Sequence, residues 1–401
     1  MSNINDFVIE NGELKKYKGQ GGDVVIPEGV TSIGDWAFWG CRSLTSVVIP
    51  EGMTTIDDWA FAWCQSLKNV VMPESVTSIG GKAFSGCKGL ADANGFVIIQ
   101  NALHDYYGKG GDVVIPEGVT SIGASAFNGC SSLTSVVIPY SVKSIGASAF
   151  CYCSSLASIV IPESVKSIGD LAFSGCKGLA SVVIPEGVTS INDWAFYDCA
   201  SLASIVIPEG VTSIGDSAFN GCSSLASIVI PEGVTSIGAE AFKYCKSLTS
   251  VVIPEGVTYI GDWTFFGCSS LTSVVIPASV TSIGKEAFEG CCGLKPENAP
   301  SISVSVFNSL KLGAQAGYGF LSARERFTNP EIADGYRKYC ISQRKKLLPL
   351  IFRDDNDEAL RFYIDEKKVT AKNFDTDYFV PALQACAEKC KALLLEWKEQ
   401  H

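Results

Sequence analysis

The sequence predicts an α/β solenoid with a parallel β-sheet on one face, followed by a small all-α domain. Three observations carry this reading. A proline recurs every 23 residues over most of the chain, at Pro27, Pro50 and Pro73, then from Pro116 to Pro277. Four apolar columns move with it: Ile six residues on (Ile33 to Ile283), Phe eleven on (Phe38 to Phe288), Cys fourteen on (Cys41 to Cys291) and Leu seventeen on (Leu44 to Leu294). After Leu294 that register ends and a helical pattern takes over. Eleven copies of one short unit must stack, because a single copy cannot bury its own apolar side.

The chain divides accordingly into five parts. Residues 1–26 form an N-terminal capping coil, and 27–93 a first repeat block. Residues 94–115 form a second cap-like coil, 116–294 a second repeat block, and 295–401 a helical domain. The second cap is a copy of the first. Phe7, Leu14, Tyr17 and Gly19 recur as Phe96, Leu103, Tyr106 and Gly108, and Gly21–Gly34 equals Gly110–Gly123 residue for residue. A stacked array needs an atypical coil at its open end. The internal copy is a start cap enclosed by duplication.

Within a unit, Thr45–Ile49 alternates as a strand does. Ser46 and Val48 are expected outside, Val47 and Ile49 inside. Pro50 ends the strand, having no N–H for the ladder, and Glu51-Gly52 is turn chemistry. Ser75, Ser141 and Ser164 replace that Gly, so the turn does not require a positive φ. Asp35-Trp36-Ala37-Phe38 reads as a capped helical turn on the other side of the coil.

The unit I-P-E-G-V-T-S-I-G-x-x-A-F-x-x-C-x-S-L, with Leu44, Val47, Ile49 and Met53 at leucine-rich-repeat spacing, resembles the BspA-like class of bacterial leucine-rich repeats over roughly residues 24–294. The resemblance implies a curved, right-handed leucine-rich-repeat array. It also implies an association with cell-surface proteins, adhesion and the binding of macromolecules, and it brings no catalytic residues.

In the tail, Lys295–Pro300 reads as a linker. Asn329-Pro330-Glu331 reads as N-cap, first-turn proline and an acid at the positive helix end. That helix is expected to reach about Leu347, with Pro349 interrupting it. Asp354–Ile364 and about Asp375–Trp397 suggest further helices. The tail is either a helical cap for the array or a partner-binding element.

The net charge of −11 is uneven: the tail from Lys295 holds 17 of the 31 basic and 15 of the 42 acidic residues. The array is therefore strongly acidic, which argues against nucleic acid as its partner. Met1–Lys15 has no apolar leader segment, and no run is long enough to span a membrane. Taken alone this suggests the cytoplasm; the family resemblance suggests the cell surface.

Eleven of the sixteen Cys are locked to the repeat. Stacked at strand spacing, about 5 Å, they predict a buried ladder of free thiols. With only His104 and His401, neither a zinc site nor a His-dependent catalytic site is expected. No cofactor and no enzymatic activity are expected.

Two features remain as candidate binding surfaces. Glu follows Pro in nine units, either as a solvated ridge or as an attractor for cations. Nine residues after Pro the entry is Trp36, Trp59, Trp194 or Trp263, accompanied by Trp39, Trp63, Tyr197 or Phe266. These aromatic pairs suit protein or carbohydrate contacts, or else pack locally. On the strand side, Val137, Val160, Val183, Val206 and Val229 belong to an exposed apolar stripe suited to an extended ligand or a second copy of the chain. The function expected is a non-enzymatic, adhesion-type binding protein. The alternatives are an intracellular scaffold using the helical tail and a carbohydrate-binding protein using the Trp pairs.

Overall fold

The structure, a computed structural model, describes residues 3–277, 279–291, 294, 320–321, 324 and 330–401. By its contacts the chain divides into Met1–Leu225 and Ala226–His401.

In the first unit each coil of the β-solenoid contributes two short strands to two parallel sheets. Leu44–Val48 pairs with Asn69–Val71 in the register Val47↔Val70. Ser32–Ile33 pairs with Thr55–Ile56, which pairs with Ser78–Ile79. Ser32 and Ile33 lie five and six residues beyond Pro27 and belong to a different sheet from Leu44–Val48. Val47 and Ile49 are buried as expected, while Ser46 and Val48, expected outside, are half-buried; in the next coil the residue at the Val48 place, Val71, is exposed.

The core follows the columns. Every repeat Phe from Phe38 to Phe219 is fully buried, and within each repeat block successive rings stack, as in Phe61–Phe84 at 5.2 Å and Phe150–Phe173 at 5.4 Å. Burying each such ring stabilises the fold by roughly 1.5–3 kcal/mol. The stack begins in the cap, where Tyr17 lies 4.9 Å from Phe38. The cysteines fill the next column, and their thiols are donors as well as filler. Cys64 Sγ donates to the Phe38 carbonyl at 3.2 Å, and Cys176 Sγ to that of Phe150 at 3.1 Å. Cys41 and Cys130 are only half-buried, because each is preceded by a cap coil that does not cover it.

Both caps are antiparallel hairpins: Phe7–Glu10 with Glu13–Tyr17, and Phe96–Ile99 with Ala102–Tyr106. The internal hairpin restarts the architecture. One sheet ends at Asn69–Val71 and a new one starts at Gly111–Val114; the other ends at Ser78–Ile79 and restarts at Phe96–Ile99.

The expected helical turn is absent from the coils. Residues such as Asp35–Phe38 form consecutive turns, and the ninth residue after Pro has a left-handed φ in all eleven coils, from Trp36 (55°) to Glu286 (52°). The cause is the neighbouring coil. The Ser148 N–H donates to the Asp170 carbonyl at 2.8 Å and that of Leu171 to the Asp193 carbonyl at 2.9 Å. These ladder bonds outweigh a left-handed cost of roughly 1–2 kcal/mol per residue.

In the second unit the coils continue the same pattern, with Ser250–Val252 paired to Ser273–Val275 and Phe242, Phe265 and Phe288 stacked. Among the described residues its main helices are α1 Pro330–Ser342, α2 Arg344–Arg353, α3 Asp357–Asp365, α4 Val380–Gln384 and α5 Glu388–Gln400. Arg337 of α1 forms a bidentate pair with Glu366 at 2.7 and 2.8 Å, and the buried Tyr363 hydroxyl donates to the Cys340 carbonyl. Three expectations need correction. The first helix breaks at Gln343, and Pro349 lies inside α2 instead of ending a helix. The Asp375–Trp397 segment is split: Phe374–Phe379 is a π-helical turn and Cys386 (φ 55°) separates α4 from α5. Cys386 and Cys390 therefore do not share a helix; one is exposed, the other buried. The linker Lys295–Pro300 and Asn329 lie outside the described residues.

Candidate interaction surfaces

The strand face presents two parallel columns. Ser158, Ser181 and Ser204 are in register, as are Val183 and Val206. Val137, Val160, Val183 and Val206 are all more than half exposed in the first unit, and so is Val229 in the second. The caps close the Ser column with a carboxylate. Asp23 accepts from Ser46 at 2.7 Å and Thr45 at 2.8 Å, and Asp112 accepts from Ser135 and Thr134 in the same way. These hydroxyl bonds hold both carboxyls below the usual carboxylate range.

On the turn face the aromatic positions separate. Trp36, Trp39, Trp63, Trp194 and Tyr197 are exposed. Trp59 is half-buried beneath Lys82, whose ammonium stands 4.7 Å from the ring centroid. Trp263 and Phe266 are half-buried and engaged locally: Trp263 Nε1–H donates to Glu286 at 2.8 Å, and Lys243 approaches both rings. For that pair the packing alternative describes the geometry. Because the turns are not helical, spacing of three or four does not place two rings on one helix face; each ring is aimed by its own turn.

The thirteenth residue after Pro is left-handed in all eleven coils too, and here the sequence carries the signal, since seven of these residues are Gly. Trp63 (64°), Tyr152 (59°), Asp198 (54°) and Tyr244 (59°) are the exceptions. Each is followed one coil later by Gly: Gly86, Gly175, Gly221 and Gly267. Bulky aromatic residues in this backbone region are strained.

One feature was missed by reading the sequence: a cleft of about 720 Å³ beside the internal cap. Trp59 and Trp63 wall it on one side and Ser125 and Asn128 on the other, with Asp105 and Tyr107 between them. In ordinary coils the N–H of the thirteenth residue reaches the next coil's turn, as Gly40 does at Ala62 (2.8 Å) and Tyr152 at Ser174 (2.7 Å). The cap coil has no such turn. Asp105 takes its place and accepts from the Gly86 N–H at 3.0 Å, as well as from the Tyr107 hydroxyl at 2.6 Å. Burial raises the Asp105 carboxyl and, aided by that carboxylate, the Tyr107 phenol. His104 is buried edge-on to Phe84 at 5.4 Å and is pulled down to about 4 by desolvation. A signal was present. The first cap reads Lys15-Lys16-Tyr17-Lys18 where the second reads His104-Asp105-Tyr106-Tyr107. Exposed lysines of the first cap are replaced in the second by groups fitted to a preceding coil.

Among the described residues no group of His, Cys, Asp and Glu is arranged to hold a metal ion, and no helix is long and apolar enough to cross a membrane.

The family model for the BspA type leucine rich repeat region matches residues 16–101, 97–226 and 189–312. No curated protein matches the chain. Among solved structures, a leucine rich cell surface protein from Faecalibacterium prausnitzii A2-165 is 30% identical, with 76% of this chain and 95% of that chain covered and a TM-score of 0.41. The leucine rich repeat protein of T. pallidum is 33% identical, with coverage of 56% and 95% and a TM-score of 0.38. A leucine-rich repeat protein from Bacteroides ovatus ATCC 8483 is 28% identical, with coverage of 72% and 91% and a TM-score of 0.33.

Proposed function

Because the chain belongs to the BspA-type leucine-rich-repeat family, we propose that it is a non-enzymatic, adhesion-type protein that binds a macromolecule, most directly another protein, through its strand face. The observation that carries this reading is the exposed Val column on a hydrogen-bonded sheet, Val183 at 59% exposure being typical. Apolar side chains ordered in a row on a rigid backbone lose little entropy on contact, and contiguous exposed apolar surface marks interaction sites. The Ser column beside it supplies donors and acceptors without charge. A repetitive surface of this kind suits an extended or repetitive partner.

The test is adhesion of beads coated with the purified protein to immobilised extracellular-matrix proteins, to mucin and to the protein itself. The expected result is retention on at least one surface, weakened tenfold or more, about 1.4 kcal/mol, by Val183→Lys with Val206→Lys. The comparison pair is Trp36→Ala with Trp59→Ala. If neither pair weakens retention tenfold while circular dichroism shows both folded, the array is not the contact surface.

A second reading, a scaffold whose tail engages the partner, is favoured by a groove of about 590 Å³ among the helices, lined by Leu348, Pro349, Phe352 and Pro381. Retention by the wild type that survives both pairs of substitutions would move the contact there.

A further inference from the structure

The cleft beside the internal cap exists because one coil lacks a turn. Its surface differs in kind from the strand face. Trp63 is exposed, yet its backbone is held left-handed at φ 64° and its ring is braced against Gly86. It therefore offers a fixed, flat apolar surface. Trp59 offers none, since Lys82 covers it. Two ammonium groups border the cleft, Lys82 and Lys88, and neither has a carboxylate partner among the described residues. The one carboxylate in the lining is already engaged, with Asp105 accepting from Gly86, Tyr106 and Tyr107. The Ser125 Oγ is buried with no hydrogen-bond partner, and the amides of Gln65 and Asn128 are at the rim. The cleft thus combines one free ring face, two cations without a carboxylate partner among the described residues, of which Lys82 already rests on Trp59, and neutral hydrogen-bonding groups, within an array that is otherwise acidic.

We propose that this cleft binds a sugar residue that carries a carboxylate. The apolar C–H face of the pyranose lies on the Trp63 indole, the carboxylate meets Lys88 and Lys82, and ring hydroxyls reach the amides of Gln65 and Asn128. An apolar wall with a few convergent polar groups is the usual make-up of a small-ligand site, and an indole supplies wide contact area at little entropic cost. A single available ring face suits a saccharide better than a nucleobase sandwiched between two rings. The proposal is independent of the strand face.

The test is isothermal titration calorimetry of the full chain with trigalacturonate and with 3′-sialyllactose, which separate uronic from sialic acids as the source of the carboxylate. A neutral trisaccharide, maltotriose, and adenosine monophosphate serve as controls. The expected result is binding of at least one acidic sugar, tenfold or more tighter than either control. Trp63→Gly should weaken it at least tenfold. Gly occupies this place in seven coils, so the substitution removes the ring and relieves the backbone together. Lys88→Gln should also weaken it at least tenfold, whereas Val183→Lys with Val206→Lys should leave it unchanged. The proposal is overturned if neither acidic sugar binds the folded protein at millimolar concentration, if either control binds as tightly, or if Trp63→Gly and Lys88→Gln both leave the affinity as it was.

Discussion

The indole of Trp63 lies against the backbone of Gly86 one coil further on: a Cβ placed on Gly86 would stand 3.0 Å from Trp63 Cδ2 and 3.1 Å from its Cα. The same relation joins Tyr152 to Gly175 and Tyr244 to Gly267. Gly86 is also left-handed, at φ 80°. Gly86→Ala should therefore lower stability by roughly 2–3 kcal/mol, combining the left-handed penalty with a contact the ring must yield to. Chemical denaturation measures this. A loss of about 1 kcal/mol or less, no more than the left-handed penalty alone, would show that the ring moves aside freely and that Trp63 is not braced.

The left-handed turn nine residues after Pro gives a prediction of opposite sign. Ser148 has φ 56° and is held there by its N–H bond to Asp170. Ser148→Gly relieves the backbone, while adding freedom to the unfolded chain. The expected net change is between zero and about 1 kcal/mol of added stability. Destabilisation by more than about 1 kcal/mol would mean that the Ser148 side chain, not the ladder bond, holds the turn.

The thiol column predicts a labelling order. Of the fifteen described cysteines only Cys386 is exposed. Cys41 and Cys130 are half-buried, and burial pushes both thiols up to about 11, so little reactive thiolate is present at pH 8. Ellman's reagent on native protein should modify Cys386 at once, Cys41 and Cys130 slowly, and the buried repeat cysteines only after denaturant. Rapid modification of Cys176 or Cys199, located by mass spectrometry, would contradict the ladder. Cys176→Ala should cost about 1–2 kcal/mol, through lost packing and the bond to Phe150.

His104 makes stability depend on pH at the internal cap. Its folded-state value is depressed to about 4 from 6.5. Between those values the unfolded chain binds a proton that the folded chain excludes. The contribution is therefore harmless above pH 6.5, and stability falls as the pH drops towards 4, by at most about 3 kcal/mol. Asp105 works the other way, since a raised carboxyl favours folding as it protonates. His104→Phe keeps a ring against Phe84 and removes the titration. The stability difference between variant and wild type should widen in the variant's favour from pH 6.5 to pH 4.5; a constant difference would place water at the imidazole.

The sequence by itself determined the period, and with it the neighbours of most core residues in the array. A Phe that recurs every 23 residues must stack on its own copies, as must the Ile, Cys and Leu that move with it. The buried places of Val47 and Ile49, the free thiols and the likeness of Asn5–Pro27 to Asn94–Pro116 follow from residue type and alternation alone. What only the tertiary structure decided are the turns and the cleft. Asp35–Phe38 carries local features of a helical turn, and nothing at Trp36, Ser148 or Leu171 announces a left-handed backbone. That conformation is imposed from outside the segment, by carbonyls such as those of Asp58, Asp170 and Asp193 in the following coil. The cleft likewise belongs to no single stretch of chain. It is the space left where the coil containing Asp105 omits a turn that its neighbours possess, and a missing element becomes visible only once the coils on either side have been stacked.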